Sequence, residues 1–140
     1  MKDNIVSKQS LLFFETSGFS MFPVLKTNDK IIVKSTDAKD IIPGDIILFY
    51  NDGRNYCHRL IKKNWKAGKI VFYTRGDSYF KGIETVQENM ILGKVMAVKR
   101  GNKIIATGNL RSRLMDFLLV VVYYRIIRRC LINLRQLMLS

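Results

Sequence analysis

One serine and the chain's single histidine are the residues best suited to acyl-transfer chemistry. Ser20 lies in the segment SGFSMFPVL (17–25), flanked by Phe19 and Met21, and neither an ordinary turn nor a central strand accounts for these residue types. A serine hydroxyl becomes a nucleophile when a base takes its proton and nearby donors hold the oxyanion that forms. Imidazole is the side chain that ordinarily exchanges protons near neutral pH, and His58 is the only histidine. We therefore expect His58 to serve Ser20 as general base.

A carboxylate could orient the imidazole, as in a serine-histidine-aspartate triad. The glycine turn in YTRGDSY presents Asp77, which is a candidate for this role. A glycine followed by an aspartate is in most proteins only a turn, so the spacing by itself leaves the third member undecided.

Short apolar runs bounded by turn residues follow one another from Lys30 onward. They are rich in Ile, Val, Phe and Tyr, which is typical of strands and hairpins. Tight turns are predicted at NDGRN (51–55) and RGNK (100–103). The apolar run that follows Pro43 and Gly44 is predicted to begin at Asp45 and to pass through the core. The sequence thus predicts a small, mainly β domain of antiparallel strands, with these runs: KIIVK, DIIPGDIILFY, YCHRLIKK, KIVFYT, ILGKVMAVK and NKIIAT.

The last thirty residues differ in composition from the rest of the chain. The whole chain carries 24 Lys and Arg against 11 Asp and Glu, a net charge of +13, and residues 111–140 hold six arginines, no lysine and one acid, Asp116. After Gly108 there is no further Gly or Pro, and from Tyr124 apolar residues recur at helical spacing, with arginines on the other side. We predict a β domain over residues 1–109 and a basic amphipathic tail of one or two helices over 110–140.

Cysteine content and the start of the chain exclude several classes of protein. Two cysteines, Cys57 and Cys130, do not make a disulfide framework, and no spacing typical of a metal site occurs, so neither metal nor cofactor is expected. The apolar stretches before residue 15 are too short for a signal-peptide core or a membrane anchor. We expect no N-terminal export signal and a cytoplasmic location apart from any membrane contact of the tail.

Five segments follow one another along the chain: SGFSMFPVL (17–25), PGDIILF (43–49), HRLI (58–61), TRGDS (74–78) and ILGKV (91–95). Taken in this order, they resemble the motifs of type I signal peptidases. The serine segment with its S-M-x-P core is the most specific of them, and HRLI resembles the endoplasmic-reticulum and archaeal subtype, in which histidine replaces the lysine base of most bacterial members. The resemblance spans about residues 16 to 98.

This resemblance implies a serine endopeptidase that removes leader peptides after small residues. Its fold would be the β domain shared by signal peptidases and self-cleaving repressors, with twisted antiparallel sheets and a partly closed barrel. Ser20 would be the nucleophile and His58 the base, while the Ser20 N–H and the Ser17 hydroxyl would contribute to the oxyanion hole. Met21 and Pro23 would shape the nucleophile's turn.

Gly44 and Asp45 would support the strands behind the site, although ordinary turn residues would look the same. The acid that orients the base usually lies several residues beyond the Gly-Asp turn, where this chain reads FKGIE. Asp77 and Glu84 are therefore both candidates for the third member.

The chain departs from the family's usual layout at both ends. No membrane anchor precedes the serine segment, so the chain resembles a short variant, and the basic tail has no counterpart. The run LMDFLLVVVYY is only eleven residues long, below the roughly twenty that a bilayer requires. For residues 111–140 we favour an in-plane helix on an anionic membrane, that is, peripheral membrane association. The alternative is a helix that packs against the β domain or against a partner protein.

Three other functions compete with the peptidase hypothesis. Self-cleaving repressors use a lysine base and carry a DNA-binding segment, and the offset of Lys62 and Lys63 from His58 does not fit such a base. An inactive family member would keep the fold without the chemistry. A basic β-barrel could bind single-stranded nucleic acid through its aromatic residues, but these alternate with apolar residues as core positions do, so nucleic acid is disfavoured as a partner. A peptide or preprotein substrate is the expected partner.

Overall fold

A computed structural model describes residues 10–79, 82–108 and 110–138 of the chain. In these ranges eight strands form one antiparallel sheet, and a single long helix follows them. The prediction made for the start of the chain concerns in part residues 1–9, which lie outside the described ranges. The elements are β1 (Leu11–Glu15), β2 (Lys30–Lys34), β3 (Ile46–Asn51), β4 (Arg54–Lys66), β5 (Lys69–Arg75), β6 (Glu84–Gln87), β7 (Ile91–Arg100), β8 (Lys103–Ala106) and α1 (Leu110–Met138), with short 3-10 turns at Ala38–Asp40 and Glu88–Met90.

The strands pair in the order β1-β2-β7-β3-β4-β5-β6, and β8 pairs with β7. The prediction of a mainly β, antiparallel domain with a helical C-terminal segment is confirmed. The sheet is not closed, because β1 and β6 are the two ends of the path of paired strands in the described part of the chain.

The predicted apolar runs coincide with six of these strands, and both predicted tight turns join antiparallel neighbours. Asp52 and Gly53 connect β3 to β4 with positive φ angles of 47° and 81°, which residues of these types tolerate. Gly101, with φ of 57°, connects β7 to β8. Strands β1 and β6 were not predicted from the sequence.

Strand β3 is the centre of the core, because side chains on both of its faces are buried. Ile46 and Leu48 face one apolar cluster, which includes Met21 and Leu25 of the serine segment. Ile47 and Phe49 face a second cluster. This double burial explains the continuous apolar run of β3 and confirms that the run passes through the core.

Helix α1 packs part of one face against the β domain. The contacting residues are Asp116, Val120, Tyr123 and Tyr124, whose spacing of four, three and one residues places them on one side of a helix. The opposite side carries exposed apolar residues, among them Leu118 and Val122. Among the described residues, no helix combines the length and the apolar character that crossing a bilayer requires.

Candidate active site

Burial of its neighbours holds the serine segment in a turn. Met21, Val24 and Leu25 pack into the first core cluster, while Phe19 is 75% exposed and Ser20 is half-buried. Backbone N–H groups of Phe22 and Leu25 donate to the carbonyls of Phe19 and Met21, at 3.0 and 2.9 Å. Met21, Val24 and Leu25 therefore anchor the turn, while Phe19 and Ser20 lie at its surface.

The loop that follows β5 holds the carbonyl of Ser20. The Ser78 backbone N–H donates to the Ser20 carbonyl oxygen at 2.9 Å, and the Ser78 hydroxyl lies 2.7 and 3.0 Å from the carbonyl oxygens of Phe19 and Ser20. A Cβ atom placed on Gly76 would collide with the Ser20 carbonyl. Only glycine allows the two segments to approach this closely.

His58 is buried in β4, opposite Ile47 of β3, and its ring contacts an acid. Nδ1 of His58 lies 2.8 Å from Oε2 of Glu84, the first residue of β6. The aromatic rings of Phe49 and Tyr79 stand edge-on to the imidazole, with centroids 5.8 and 6.4 Å away. A proton on Nδ1 that is donated to the carboxylate leaves Nε2 as the proton acceptor of the ring.

Asp77 contacts Arg59 instead of His58. The guanidinium donates to both carboxylate oxygens, from Nε to Oδ1 at 2.8 Å and from Nη2 to Oδ2 at 2.7 Å, and its Nη1 donates to the carbonyl of Gly44 at 2.9 Å. Burial by itself lowers the pKa of Arg59, but the paired carboxylates outweigh it and raise that pKa above its usual value. Of the two acids that the sequence offers as third member, the structure thus places Glu84 on the histidine and Asp77 on the neighbouring arginine.

The other residues of the signal-peptidase motifs occupy supporting positions. Asp45 is fully buried, its carboxylate accepts the Ile42 N–H at 2.9 Å, and Lys94 lies 3.0 Å away. The Gly44 N–H donates to the Leu60 carbonyl at 2.7 Å. These contacts tie the turn before β3 to β4 and β7.

Ser20, His58 and Glu84 line one open cleft of about 460 Å³, together with Ser17, Met21 and Tyr79. Cys57 lines it as well, but burial, helped by the charge of Asp77, raises the pKa of that thiol to about 12. At neutral pH it is therefore a protonated, unreactive thiol. In the described part of the chain, no lysine side chain lines the cleft.

Within the ranges that the structure describes, no three His, Cys, Asp or Glu residues are grouped as metal ligands would be. A hydroxyl, an imidazole and a carboxylate are the side-chain groups of a serine triad.

Sequence reasoning missed three residues that organise the cleft. Arg59 directly follows the histidine and Ser78 ends the TRGDS motif, so both lay within segments that the resemblance had already singled out. Tyr124 of α1, whose hydroxyl donates to the loop that carries Asp77, stands outside every motif.

Comparison with known proteins identifies the family. The sequence matches the Peptidase S24-like family over residues 1–96, and the chain belongs to that family. The family lies in the superfamily that joins self-cleaving repressors with type I signal peptidases, so the resemblance to signal peptidases is confirmed at that level. No curated protein matches the chain significantly.

Proposed function

We propose that this chain is a serine endopeptidase of the signal-peptidase type, in which Ser20 is the nucleophile, His58 the general base and Glu84 the acid that orients it. The observation that carries this proposal is the contact between His58 and Glu84 at the cleft that Ser20 also lines. Membership of a Peptidase S24-like family supports peptide-bond hydrolysis as the reaction class. The choice of a histidine base is supported because the lysines nearest in sequence are engaged elsewhere: Lys63 donates to the carbonyls of Ala38 and Lys39, and Lys62 lies over the Tyr73 ring.

In the proposed mechanism, Nε2 of His58 takes the proton of the Ser20 hydroxyl as Oγ attacks the scissile carbonyl carbon. The oxyanion that forms is held by the Ser20 N–H and the Ser17 hydroxyl. The imidazolium, stabilised by Glu84, then gives its proton to the leaving amine, and an acyl-enzyme remains on Ser20. Water, activated by the same imidazole, releases the acid product and restores the serine.

The proposed substrate is a leader peptide with small residues before the scissile bond, a preference that rests on the resemblance to signal peptidases. The test uses the full chain and a peptide of this kind. Ser20→Ala and His58→Ala should each lower kcat by about a thousandfold or more, as removal of one member of a catalytic unit does. Ser35→Ala, at an exposed serine just after β2, is the matched control and should cleave at the wild-type rate.

Thermal melting of each variant shows whether the folded state persists. Wild-type rates in folded Ser20→Ala and His58→Ala would overturn the mechanism. A wild-type chain that cleaves no such peptide would instead support an inactive member of the family.

We further propose that α1 holds the protein on an anionic membrane surface. Its outward side presents exposed Leu118, Val122 and Ile126, and Arg125, Arg128 and Arg129 are exposed next to them. The only acid in residues 111–140 is Asp116, and its carboxylate lies 3.4 Å from Arg59. The helix therefore offers apolar area together with uncompensated positive charge, which suits lipid with acidic head groups.

Vesicle binding tests this part of the proposal. The full chain should bind vesicles of phosphatidylcholine with phosphatidylserine far more tightly than vesicles of phosphatidylcholine alone. Replacing Arg125, Arg128 and Arg129 by Gln should weaken binding on the order of a hundredfold, at about 1 kcal/mol for each charge. The control replaces the exposed Lys66, Lys69 and Lys103, which lie outside α1, with Gln. It removes the same amount of charge and should weaken vesicle binding much less. Equal losses in the two triple variants would contradict a specific role for α1.

A further inference from the structure

Helix α1 reaches the loop that organises the serine, through one tyrosine. The hydroxyl of Tyr124 lies 2.8 Å from the carbonyl oxygen of Asp77 and 2.9 Å from that of Tyr79, so it can donate to either. These two carbonyls flank Ser78, the residue that holds the Ser20 carbonyl. A continuous path of hydrogen bonds therefore joins the helix to the turn of the proposed nucleophile.

The same loop also lies beside the proposed base. The ring of Tyr79 stands edge-on to the imidazole of His58, and Asp77 is bonded through both carboxylate oxygens to Arg59, the residue after His58. A shift of this loop would therefore disturb the serine and the histidine together. Misplacement by about 1 Å is enough to cost about a hundredfold in rate.

Three further contacts keep the helix in register with the loop. The Tyr123 ring packs edge-on against Phe22 of the serine segment, with centroids 5.3 Å apart. Val120 packs against the core cluster that contains Met21, and Asp116 lies 3.4 Å from Arg59. The helix thus contacts the serine segment, the loop after β5 and β4, all of which carry site residues.

We infer that Tyr124 is a positioning residue of the peptidase: its hydroxyl fixes the loop 76–79 and thereby the relative placement of Ser20 and His58, so that docking of α1 is required for full catalytic rate. This inference rests on the proposed function. It gives α1, which lies beyond the matched residues 1–96, a positioning role in catalysis. Tyr124 does not line the cleft, and it acts through the loop.

Tyr124→Phe tests the inference, because it keeps the ring and removes the hydroxyl. We expect kcat to fall about tenfold, which corresponds to the free energy of about one hydrogen bond, and KM to change less than about twofold. Tyr123→Phe removes a hydroxyl at the next position and keeps the ring against Phe22, so it is the matched control and should retain the wild-type kcat. A Tyr124→Phe chain with wild-type kcat, or with a loss no larger than that of Tyr123→Phe, would overturn the inference.

A double-mutant cycle separates positioning from a general loss of stability. Ser78→Ala removes the two hydroxyl contacts of the next link and keeps its backbone N–H bond to the Ser20 carbonyl, so the link is weakened. The loss of kcat caused by Tyr124→Phe should therefore be smaller in the Ser78→Ala background. Additive losses, measured on variants shown to be folded by thermal melting, would sink the inference. Failure of the proposed function is distinguished by Ser20→Ala: if that variant cleaves like the wild type, the peptidase proposal falls first.

Discussion

At the scale of single residues, the acid beside His58 is unusually open to water. The Glu84 side chain is 54% exposed, although its oxygen lies 2.8 Å from the imidazole nitrogen. Solvent screens such a carboxylate, so it stabilises the imidazolium less than a buried aspartate does.

We predict that Glu84→Gln lowers kcat by about tenfold to a hundredfold, below the roughly 10⁴-fold loss known for a buried triad aspartate. The amide can still contact Nδ1, but it does not stabilise the positive charge. Steady-state kinetics on the leader peptide measure the change, and Glu88→Gln, at an exposed acid of the 3-10 turn after β6, is the control. An unchanged kcat in Glu84→Gln would remove Glu84 from the mechanism.

The two cysteines differ in the state of their thiols. Cys57 is half-buried and burial raises the pKa of its thiol to about 12, whereas Cys130 is exposed on α1. Because the thiolate is the reactive form, iodoacetamide at pH 8 should alkylate Cys130 and leave Cys57 largely unmodified in the native protein. Mass spectrometry of proteolytic peptides reports the two rates. Equal rates would show that the thiol of Cys57 is not protected as described.

At the scale of elements, the close approach of the loop after β5 to the serine segment depends on Gly76. A methyl group there would meet the Ser20 carbonyl, so one of the two backbones would have to move. We predict that Gly76→Ala lowers the free energy of unfolding by about 1–3 kcal/mol and lowers the activity of the molecules that remain folded. Denaturant unfolding and kinetics corrected for the folded fraction measure the two effects.

A glycine in the β4–β5 hairpin provides the matched control for this prediction. Gly68 has φ of 74° and an added Cβ would have no atom within 4 Å, so Gly68→Ala strains the backbone by about 1 kcal/mol without touching the site. Its activity per folded molecule should equal that of the wild type. If Gly76→Ala behaves in the same way, the close approach has no part in catalysis.

At the scale of the whole molecule, Asp116 of α1 contacts Arg59 of β4 and so joins the helix to the sheet. The negative charge of Asp116 is nevertheless unfavourable in the folded protein. Burial raises the pKa of Asp116, and the attraction of Arg59, which is already paired with Asp77, does not offset it. The folded protein therefore binds the Asp116 proton more tightly than the unfolded chain does. The stability that this proton contributes is fully present below the ordinary pKa of aspartate, and it is lost as the pH rises through the raised pKa.

Asp116→Asn should therefore be at least as stable as the wild type at pH 7, and the difference between the two should shrink as the pH falls toward 4. Denaturant unfolding of both chains across this pH range measures the difference directly, because the titration of all other groups is common to both. A variant that is clearly less stable than the wild type at pH 7 would mean that the ion pair with Arg59 outweighs the cost of burial.

Local residue patterns predicted most of the fold. Six strands and two hairpin turns followed from runs of β-branched and aromatic residues between turn residues, since such runs pack well only on a pleated, half-buried surface. Strands β1 and β6 were not predicted: LLFFE lies at the sheet edge with four of its five residues exposed, and ETVQ has a single buried residue. The spacing of apolar residues also did not distinguish one helix from two over residues 110–138, and the structure has one.

The sequence by itself determined the chemistry on offer, because a single histidine and one serine in a distinctive apolar segment leave little choice of base and nucleophile. Only the tertiary structure decided that Glu84 contacts His58 and that Asp77 contacts Arg59. Successive side chains of a strand point to opposite faces, so His58, opposite Ile47, and Arg59, opposite Ile46, face different clusters, and their partners Glu84 and Asp77 are separated accordingly. Spacing along the chain carries no information about the face of a sheet from which a distant loop approaches.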